Sequence, residues 1–591
     1  MSVAEIARRL EDRFTLLTGG DRSAPERHQT LEAVIDWSWN LLDEQERTAL
    51  RALAMFPDGF SLAGADAVLG RDALSSLAEL VDQSLVVVRE GDDVRYRLLE
   101  TVREYGLKQL AAAGGTEEVR GRLRAWAVGL ARELLARLFS PDQVAVMGAV
   151  RAEVGNLAGV MRAALAARDA AAVTPLVAVL GGFWTIEGEH LTVLGLSRPV
   201  LELLVEADTP EPGHEDELRG VLVAMIINTT IFTGDAPVGA VAQLRALGVG
   251  TPGSRTAAMC RVLLDVNDSG YGDLTRIDEL TANEDPAVSR LALQWASQAK
   301  ENAGDVAGAI EAGQRALQQC DDSDGPWTRA LICSQLCGLA TQVGDWPLAV
   351  RYARESLPVM EALGAAEDAI QLRSVIALAD LSAGRLDEAA EELDRIAAGE
   401  HTDRTIGWSV AGISGQAELA LARGEVDRGL SLYRECIDIA RNRRMPGIDI
   451  PVDRTPWVMF AASSALFAHV LHGRREAAAD LASDLRGVLP QALDENGPHV
   501  DFPVCGGGLL ALGTWDLTGG VGVAETSLRM TALGQRFGYH RTLPTMAWAN
   551  VLQVLASVDP AYQARVEALV AEYAACPAVE LRGEALGLVA R

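Results

Sequence analysis

Lysine is almost missing from this 591-residue chain: of 53 basic residues only Lys108 and Lys300 are lysines, and neither stands in a glycine loop. No G-x-x-x-x-G-K-[ST] stretch occurs, so the backbone cradle and lysine that hold nucleotide phosphates in P-loop enzymes are not in this sequence. An H-E-x-x-H helix, an ordered Ser-His-Asp set and a dinucleotide fingerprint are missing too. Aromatics make up only 5% of the residues, so the cores must be built from Ala, Leu and Val, a composition that favours closely packed helices. Seven cysteines in so long a chain are an odd, sparse set, which points to reduced thiols rather than a disulfide framework. The N-terminus has no basic region followed by an apolar run. The longest apolar stretch, 221–232, is broken by Asn228, Thr229 and Thr230 and is too short to span a bilayer. The expectation is a soluble, cytoplasmic protein with no membrane partner.

What is there in excess is negative charge. The formal balance of −29 opposes nonspecific nucleic-acid binding, which requires basic side chains to replace phosphate counterions, and opposes an anionic membrane surface. Its simplest meaning is solubility. A chain this long exceeds one hydrophobic core, so three or more structural units are expected.

Residues 3–13 read as a short amphipathic helix and 18–26 as a polar loop. Thr30 is placed to cap a helix in which Leu31, Val34, Ile35, Trp39 and Leu42 share one stripe. A second helix follows Asp43, with Leu50 and Leu53 inward, and two short helices cover about 63–82. The β-branched run 85–89, a Gly91-Asp92-Asp93 turn and the alternating run 94–98 predict a β-hairpin. A helix over about 99–112 closes a unit of helices plus a two-stranded wing, with bounds 1–112.

Two phrases in this unit, Arg27-His28-Gln29-Thr30-Leu31 running into Asp36-Trp37-Ser38, and YRLLETVREY from Tyr96 to Tyr105, resemble the winged-helix segment of STAND-type bacterial regulators of the AfsR/SARP and LuxR-like families. In those families the segment follows an ATPase core, packs on it and reports which nucleotide is bound. Relatives in plants and animals carry a Met-His-Asp triplet at the end of the wing strand, its histidine facing the ADP phosphate. Leu98, Leu99 and Glu100 occupy those positions, and Leu99 cannot donate a hydrogen bond as imidazole does. That substitution opposes direct phosphate sensing by Leu99; the resemblance implies a nucleotide-sensing interface around Leu99 and Glu100, with His28 as a second candidate that could equally be a locally satisfied residue at the start of a helix. Binding of DNA by this unit is disfavoured. Residues 1–110 hold 13 basic and 20 acidic side chains, and 71–82 carries one arginine against three acids, a poor set for forking onto base edges.

Residues 113–209 form a helical linker containing Trp126, Glu153-x-x-Asn156-Leu157 and Phe183-Trp184. These resemble the helices after the winged helix in the same families, where E-x-D-N-L is usual; here Gly155 stands in place of the acid. Core packing is expected of both tryptophans.

The rest of the chain, 210–591, shows a period. Gly304, Gly344, Gly384 and Gly424 are 40 residues apart, and Gly473 follows after 49. Five residues after each comes a small residue, Ala309, Ala349, Ala389, Gly429 and Ala478, and seven before the first four comes Ser297, Cys337, Ala377 or Ala417. This resembles the tetratricopeptide pattern, in which small residues let two helices touch and glycine turns the corner. The step exceeds the roughly 34 residues of that repeat, so longer helices or connections such as 321–325 must absorb the excess. Gly234-Asp235 is a candidate earlier unit and Gly519-Gly520 a later one. The fold class expected is mostly all-α: a winged-helix domain with a small β-hairpin, then a right-handed α-solenoid of tetratricopeptide-like hairpins with a concave face open to a peptide, protein or signalling ligand.

His469 and His472 sit three apart on a helix but lack a partner set for a metal. Cys333 and Cys337 lie one turn apart, with Cys337 at a small-residue position. Cys505-Gly506-Gly507-Gly508 reads as a turn of the solenoid, and Arg441, Arg443 and Arg444 as a basic helix end that could hold an acidic partner. Catalytic residues, metal ligands and a cofactor of the chain's own are not expected. The resemblance implies a non-enzymatic sensor and adaptor arm, with ATP or ADP entering only through a P-loop NTPase on another chain or in sequence upstream of Met1. A free-standing scaffold without nucleotide coupling, and a DNA-binding factor using Arg71, Arg95 and Arg97, are the alternatives. The oligomeric state is left open.

Overall fold

The computed structural model describes residues 31–89, 91, 94–207, 213–233, 236–269, 274–398, 406–442, 455–494 and 500–590. The expected helix over 3–13, His28, the cap Thr30, the turn at Asp92-Asp93, Gly234-Asp235 and the pair Arg443 and Arg444 lie outside the described residues. Among the described residues the protein is helical apart from one antiparallel pair, Val86–Arg89 with Arg95–Leu98, in the register Val86 opposite Leu98. Packing resolves two compact units. One takes the described residues of Met1–Leu138, Ala145–Leu180 and Glu202–Thr209; the other takes Phe139–Val144, Gly181–Leu201 and Pro210–Arg591.

In the first unit, Asp43 accepts from the Glu46 amide while Glu46 accepts from the Asp43 amide, a reciprocal cap that starts helix Glu44–Leu53. Ser61 caps Leu62–Leu69, and Gly70, at φ +70, ends it. Leu50, Leu53, Phe56, Phe60, Leu77 and Leu80 make the core, and helix Glu100–Ala112 reaches it by setting Gly106 against Ala54 and the Leu50 carbonyl. The stripe expected on Leu31–Leu41 holds at Ile35, Trp39 and Leu42, which are buried. It fails at Val34, which is 39% exposed, because Val34 lies on the same outward side as Trp37 and Leu41. Trp126 is half-buried and packs edge-on to the core residue Phe56.

Helices Gln143–Ala166 and Ala170–Glu187 are long and apolar enough to cross a membrane, which corrects the view that 221–232 is the longest apolar stretch. Their apolar windows are 50% and 61% buried against protein, and Glu153 and Asn156 within the first are tied into the hydrogen-bond network described below. They are helices of a packed core.

The second unit contains six successive helical hairpins: Pro286–Asn302 with Val306–Gln318, Pro326–Val343 with Trp346–Leu363, Ala366–Ser382 with Leu386–Ala398, Ile406–Ala422 with Val426–Asn442, Pro456–Leu471 with Ala479–Ala492, and Phe502–Gly519 with Ala524–Arg536. All six turn by one device. Gly304, Gly344, Gly384, Gly424, Gly473 and Gly520 have φ between +61 and +80. In each case the amide after the glycine bonds back across the turn, as Asp305 to the Lys300 carbonyl and Asp345 to the Ala340 carbonyl. The small residues meet where the helices cross: Ser297 donates to the Ala309 carbonyl, and the seven other non-glycine small positions are all fully buried. Gly513, seven before Gly520, extends the pattern, since a Cβ there would strike Thr531 and the Ser527 carbonyl.

The 40-residue step is made in two ways. The first helices of the first four hairpins are 17 or 18 residues long. The remainder is either an 18-residue second helix, Trp346–Leu363, or a 13-residue one followed by a connection, such as Val306–Gln318 and the 3₁₀ turn Asp322–Asp324. Buried apolar residues run from one hairpin to the next as continuous cores. The fold is thus mostly all-α with a tetratricopeptide-like α-solenoid.

Candidate functional site

The β-hairpin unit brings two distant phrases together. Phe60 and Tyr96 exchange both backbone hydrogen bonds, so the turn after Phe56 runs alongside strand Arg95–Leu98. Asn156, fully buried, accepts from the Asp58 amide at 3.2 Å and donates to the Gly59 carbonyl at 2.9 Å and to Glu153 at 2.6 Å. Arg95 closes the network, paired with Glu153 and donating to the carbonyls of Gly59 at 2.6 Å and Ala152 at 2.7 Å. The Glu153-x-x-Asn156 phrase is therefore a clamp on residues 58–60 and on the start of the second strand. Gly155 has a reason as well: a Cβ there would lie 2.8 Å from a carboxylate oxygen of Asp58, so an acid cannot stand at that position in this packing.

Leu98 points into the core, and Leu99, the N-cap of helix Glu100–Ala112, is 56% exposed. Glu100 pairs with Arg103, whose guanidinium is pushed up by that bond, so the carboxylate sits in the first helical turn, where it complements the helix dipole. Leu99 and Glu100 are thus neighbours at an accessible helix start, while His28 lies outside the described residues. The arginines proposed for DNA contact are committed elsewhere in two cases. Arg95 is in the clamp, and Arg71 bonds Ser76 and the carbonyls of Asp72 and Gln45; Arg97 is exposed.

In the second unit the first helices of the hairpins, or their turns, share one neighbour, the irregular run Phe537–Ala547, which holds a single 3₁₀ turn at Pro544–Met546. Phe537 stacks edge-on with Phe502, and its carbonyl lies beside Gly304. The Gln342 side-chain amide donates to the Gly538 carbonyl at 2.5 Å, and Thr341 and Thr542 share a hydrogen bond. His540 packs edge-on to Phe460. The Thr545 amide donates to Glu418 at 3.0 Å, and the Tyr433 hydroxyl donates to the same carboxylate. Burial pushes the Glu418 carboxyl above the usual range, and those two donors oppose the shift. The chain itself thus covers part of the first-helix side of the hairpins. Sequence reasoning missed Gln342, Glu418 and Tyr433. The available signal was a carboxylate, Glu418, in an otherwise apolar helix, together with Gly538 and Pro544 bracketing a run without helical periodicity.

Other candidates resolve as packing. Cys505-Gly506-Gly507-Gly508 is not a turn but the buried interior of helix Phe502–Gly519. Gly506 and Gly534 let two helix backbones approach, for a Cβ at either would fall within 2.8 Å of the other's carbonyl oxygen. Burial raises the Cys333 and Cys337 thiols to about 12, so they are inert core residues. His469 is buried with its ring bonded to the Ala465 carbonyl. Arg441 pairs with Asp484.

No family model matches the chain. A stretch of 141 residues is 48% identical to a Mycobacterium tuberculosis protein provisionally named an HTH-type transcriptional regulator, covering 23% of this chain and 16% of that protein. An uncharacterized protein of the same organism is 41% identical over 132 residues, 21% of this chain and 34% of its own length. The matched part is therefore about a sixth of the first relative and a third of the second. Among solved structures, a STAND protein with a tetratricopeptide repeat sensor from Pyrococcus horikoshii covers 95% of this chain and 72% of its own at 12% identity and a TM-score of 0.34. A Rap protein complexed with competence and sporulation factor covers 69% and 99% at 9% identity and a TM-score of 0.38. At TM-scores this low, neither structure bears on the partner of this chain.

Proposed function

We propose that this chain is the protein-binding sensor and adaptor arm of a bacterial STAND-type transcriptional regulator of the AfsR/SARP or LuxR-like kind. The helical hairpins take up a protein or signalling ligand. The N-terminal unit, which follows the winged-helix plan of helices and a two-stranded wing, passes that state to a P-loop NTPase outside these 591 residues. The observation that carries the reading is the clamp of Arg95, Glu153 and Asn156. It joins the start of the second strand and the turn at 58–60 to the following helix through the Glu153-x-x-Asn156 phrase, and Leu99 stands exposed at the next helix start. In this reading the chain works in the cytoplasm and turns over little or no nucleotide, having no P-loop lysine. The partial identity to a protein named as a transcriptional regulator supports the regulatory context. A DNA-binding role has less support, because Arg71 and Arg95 already have partners.

The test is affinity capture with the full chain from its native cells. A P-loop NTPase should be recovered, and Leu99→Glu, a change at an exposed position, should lower the recovery at least ten-fold while the protein stays folded. Recovery of partners without any NTPase would leave a free-standing scaffold instead.

A further inference from the structure

We propose that residues 537–546 are a built-in ligand of the hairpin array, and that the face they cover binds an extended peptide carrying apolar side chains at the spacing of Tyr539, Leu543 and Met546 by exchanging with them. Ten residues of this run reach the first helix, or its turn, of all six hairpins: Gly304, Gln342, the helix Ala366–Ser382, Glu418, Phe460 and Phe502. A segment that only capped the end of the array would meet its nearest hairpin. This one runs against the turn at Gly304 and against the first helices of the next five hairpins, the arrangement a linear ligand takes on stacked repeats.

The contacts are those of peptide recognition. Phe537, Tyr539, Leu543 and Met546 are each at most 3% exposed and Thr545 is buried with them, whereas Gly538, His540, Arg541, Thr542 and Pro544 are half-buried, so a few irregularly spaced apolar side chains are the anchors. The backbone is read by side chains rather than by a regular ladder. Gln342 takes the Gly538 carbonyl and Glu418 takes the Thr545 amide. Recognition of main-chain groups together with a few apolar pockets is how repeat and groove proteins hold extended peptides. The fit is also incomplete. The Gln342 side-chain carbonyl oxygen, the Gln535 side-chain oxygen and the Arg541 Nε are buried without hydrogen-bond partners. Buried polar groups in a settled core are nearly always paired, and leaving one unmade carries a desolvation cost. A peptide that offers an N–H to Gln342 would satisfy what the resident segment leaves open, which gives the exchange a driving force.

The inference rests on the hairpins being a binding module, but its test needs no NTPase. The probe is a fluorescein-labelled synthetic peptide with the sequence of residues 537–547, titrated by anisotropy into the full chain. The variant Leu543→Ala/Met546→Ala loosens the resident segment and should bind the probe at least ten-fold more tightly than the unaltered chain. Adding Gln342→Ala to that variant should weaken binding about ten-fold. A folded double variant that binds the probe no better than the unaltered chain would overturn the proposal. Hydrogen exchange on the unaltered chain decides the matter if the variant does not fold. The Thr545 amide should exchange at least ten-fold faster than the amide of Leu510, showing that the segment opens without unfolding the array. Equal rates would make it a permanent part of the core. Loss of peptide exchange with NTPase capture intact removes this inference alone, and the converse removes the proposed function alone.

Discussion

At the scale of single residues, the glycine at 155 has a local cause. Asp58 fills the space a side chain there would need. Gly155→Asp should therefore destabilise the protein by about 2 kcal/mol, an overpacking cost sharpened by like charge, measured by denaturant titration; a neutral result would show that the clamp is not tightly packed. Buried carboxyls make the second prediction. Burial, and then Asp501, push the Glu301 carboxyl up to about 8, opposed by its bond from Gln298. An unfolded glutamate titrates near 4.3. Between about pH 4.3 and 8 the folded state holds the extra proton, so this group's contribution to stability is full below that window and falls as pH rises through it. Asp368, pushed up to about 6, acts in the same direction, and Asp480, held at about 2 chiefly by its bond from Arg434, acts oppositely at acid pH. Glu301→Gln leaves both in place. Its stability relative to the unaltered chain should be flat below pH 4 and rise toward pH 8; a pH-independent difference would contradict the assignment.

Elements show how the same residue type can be legible in one place and not in another. The glycines of the helical turns could be read because they recur in phase and stand beside small residues that also recur. Their reason is conformational: Gly344 has φ +80 and no neighbour a Cβ would touch, so Gly344→Ala should cost about 1–2 kcal/mol from backbone strain alone. Gly338 lies inside helix Pro326–Val343 with equally open space, and Gly338→Ala should stabilise by up to about 1 kcal/mol. Two thermal melts shifted in opposite directions would confirm the distinction; shifts of the same sign would refute it. Gly506 to Gly508 looked like another turn, since composition alone does not separate a glycine that bends the chain from one that lets a second backbone approach. The β-hairpin and its closing helix were legible within a residue or two from alternation and turn chemistry. The cover over the hairpins was not. The partners of Gly538 and Thr545 are Gln342 and Glu418, 196 and 127 residues away, and no local pattern encodes such pairings.

For the whole molecule, the chemistry-bearing groups that a sequence reader would test first are packed into helices, and the polar networks that stand out join segments rather than surround a substrate. In the proposed reading, a β-hairpin clamped to the helix behind it, and a run of helical hairpins holding a segment of their own chain, are parts suited to transmitting a binding event. Such a part can shift a nucleotide switch only if it distinguishes the two states of its partner, because a ligand with equal affinity for both shifts nothing. The most direct measurement is a calorimetric titration of the full chain with the captured P-loop NTPase, loaded in turn with ADP and with a non-hydrolysable ATP analogue. The account predicts affinities that differ at least ten-fold between the two nucleotides, with the difference lost in Leu99→Glu. Equal affinities, or no binding in either state, would contradict it.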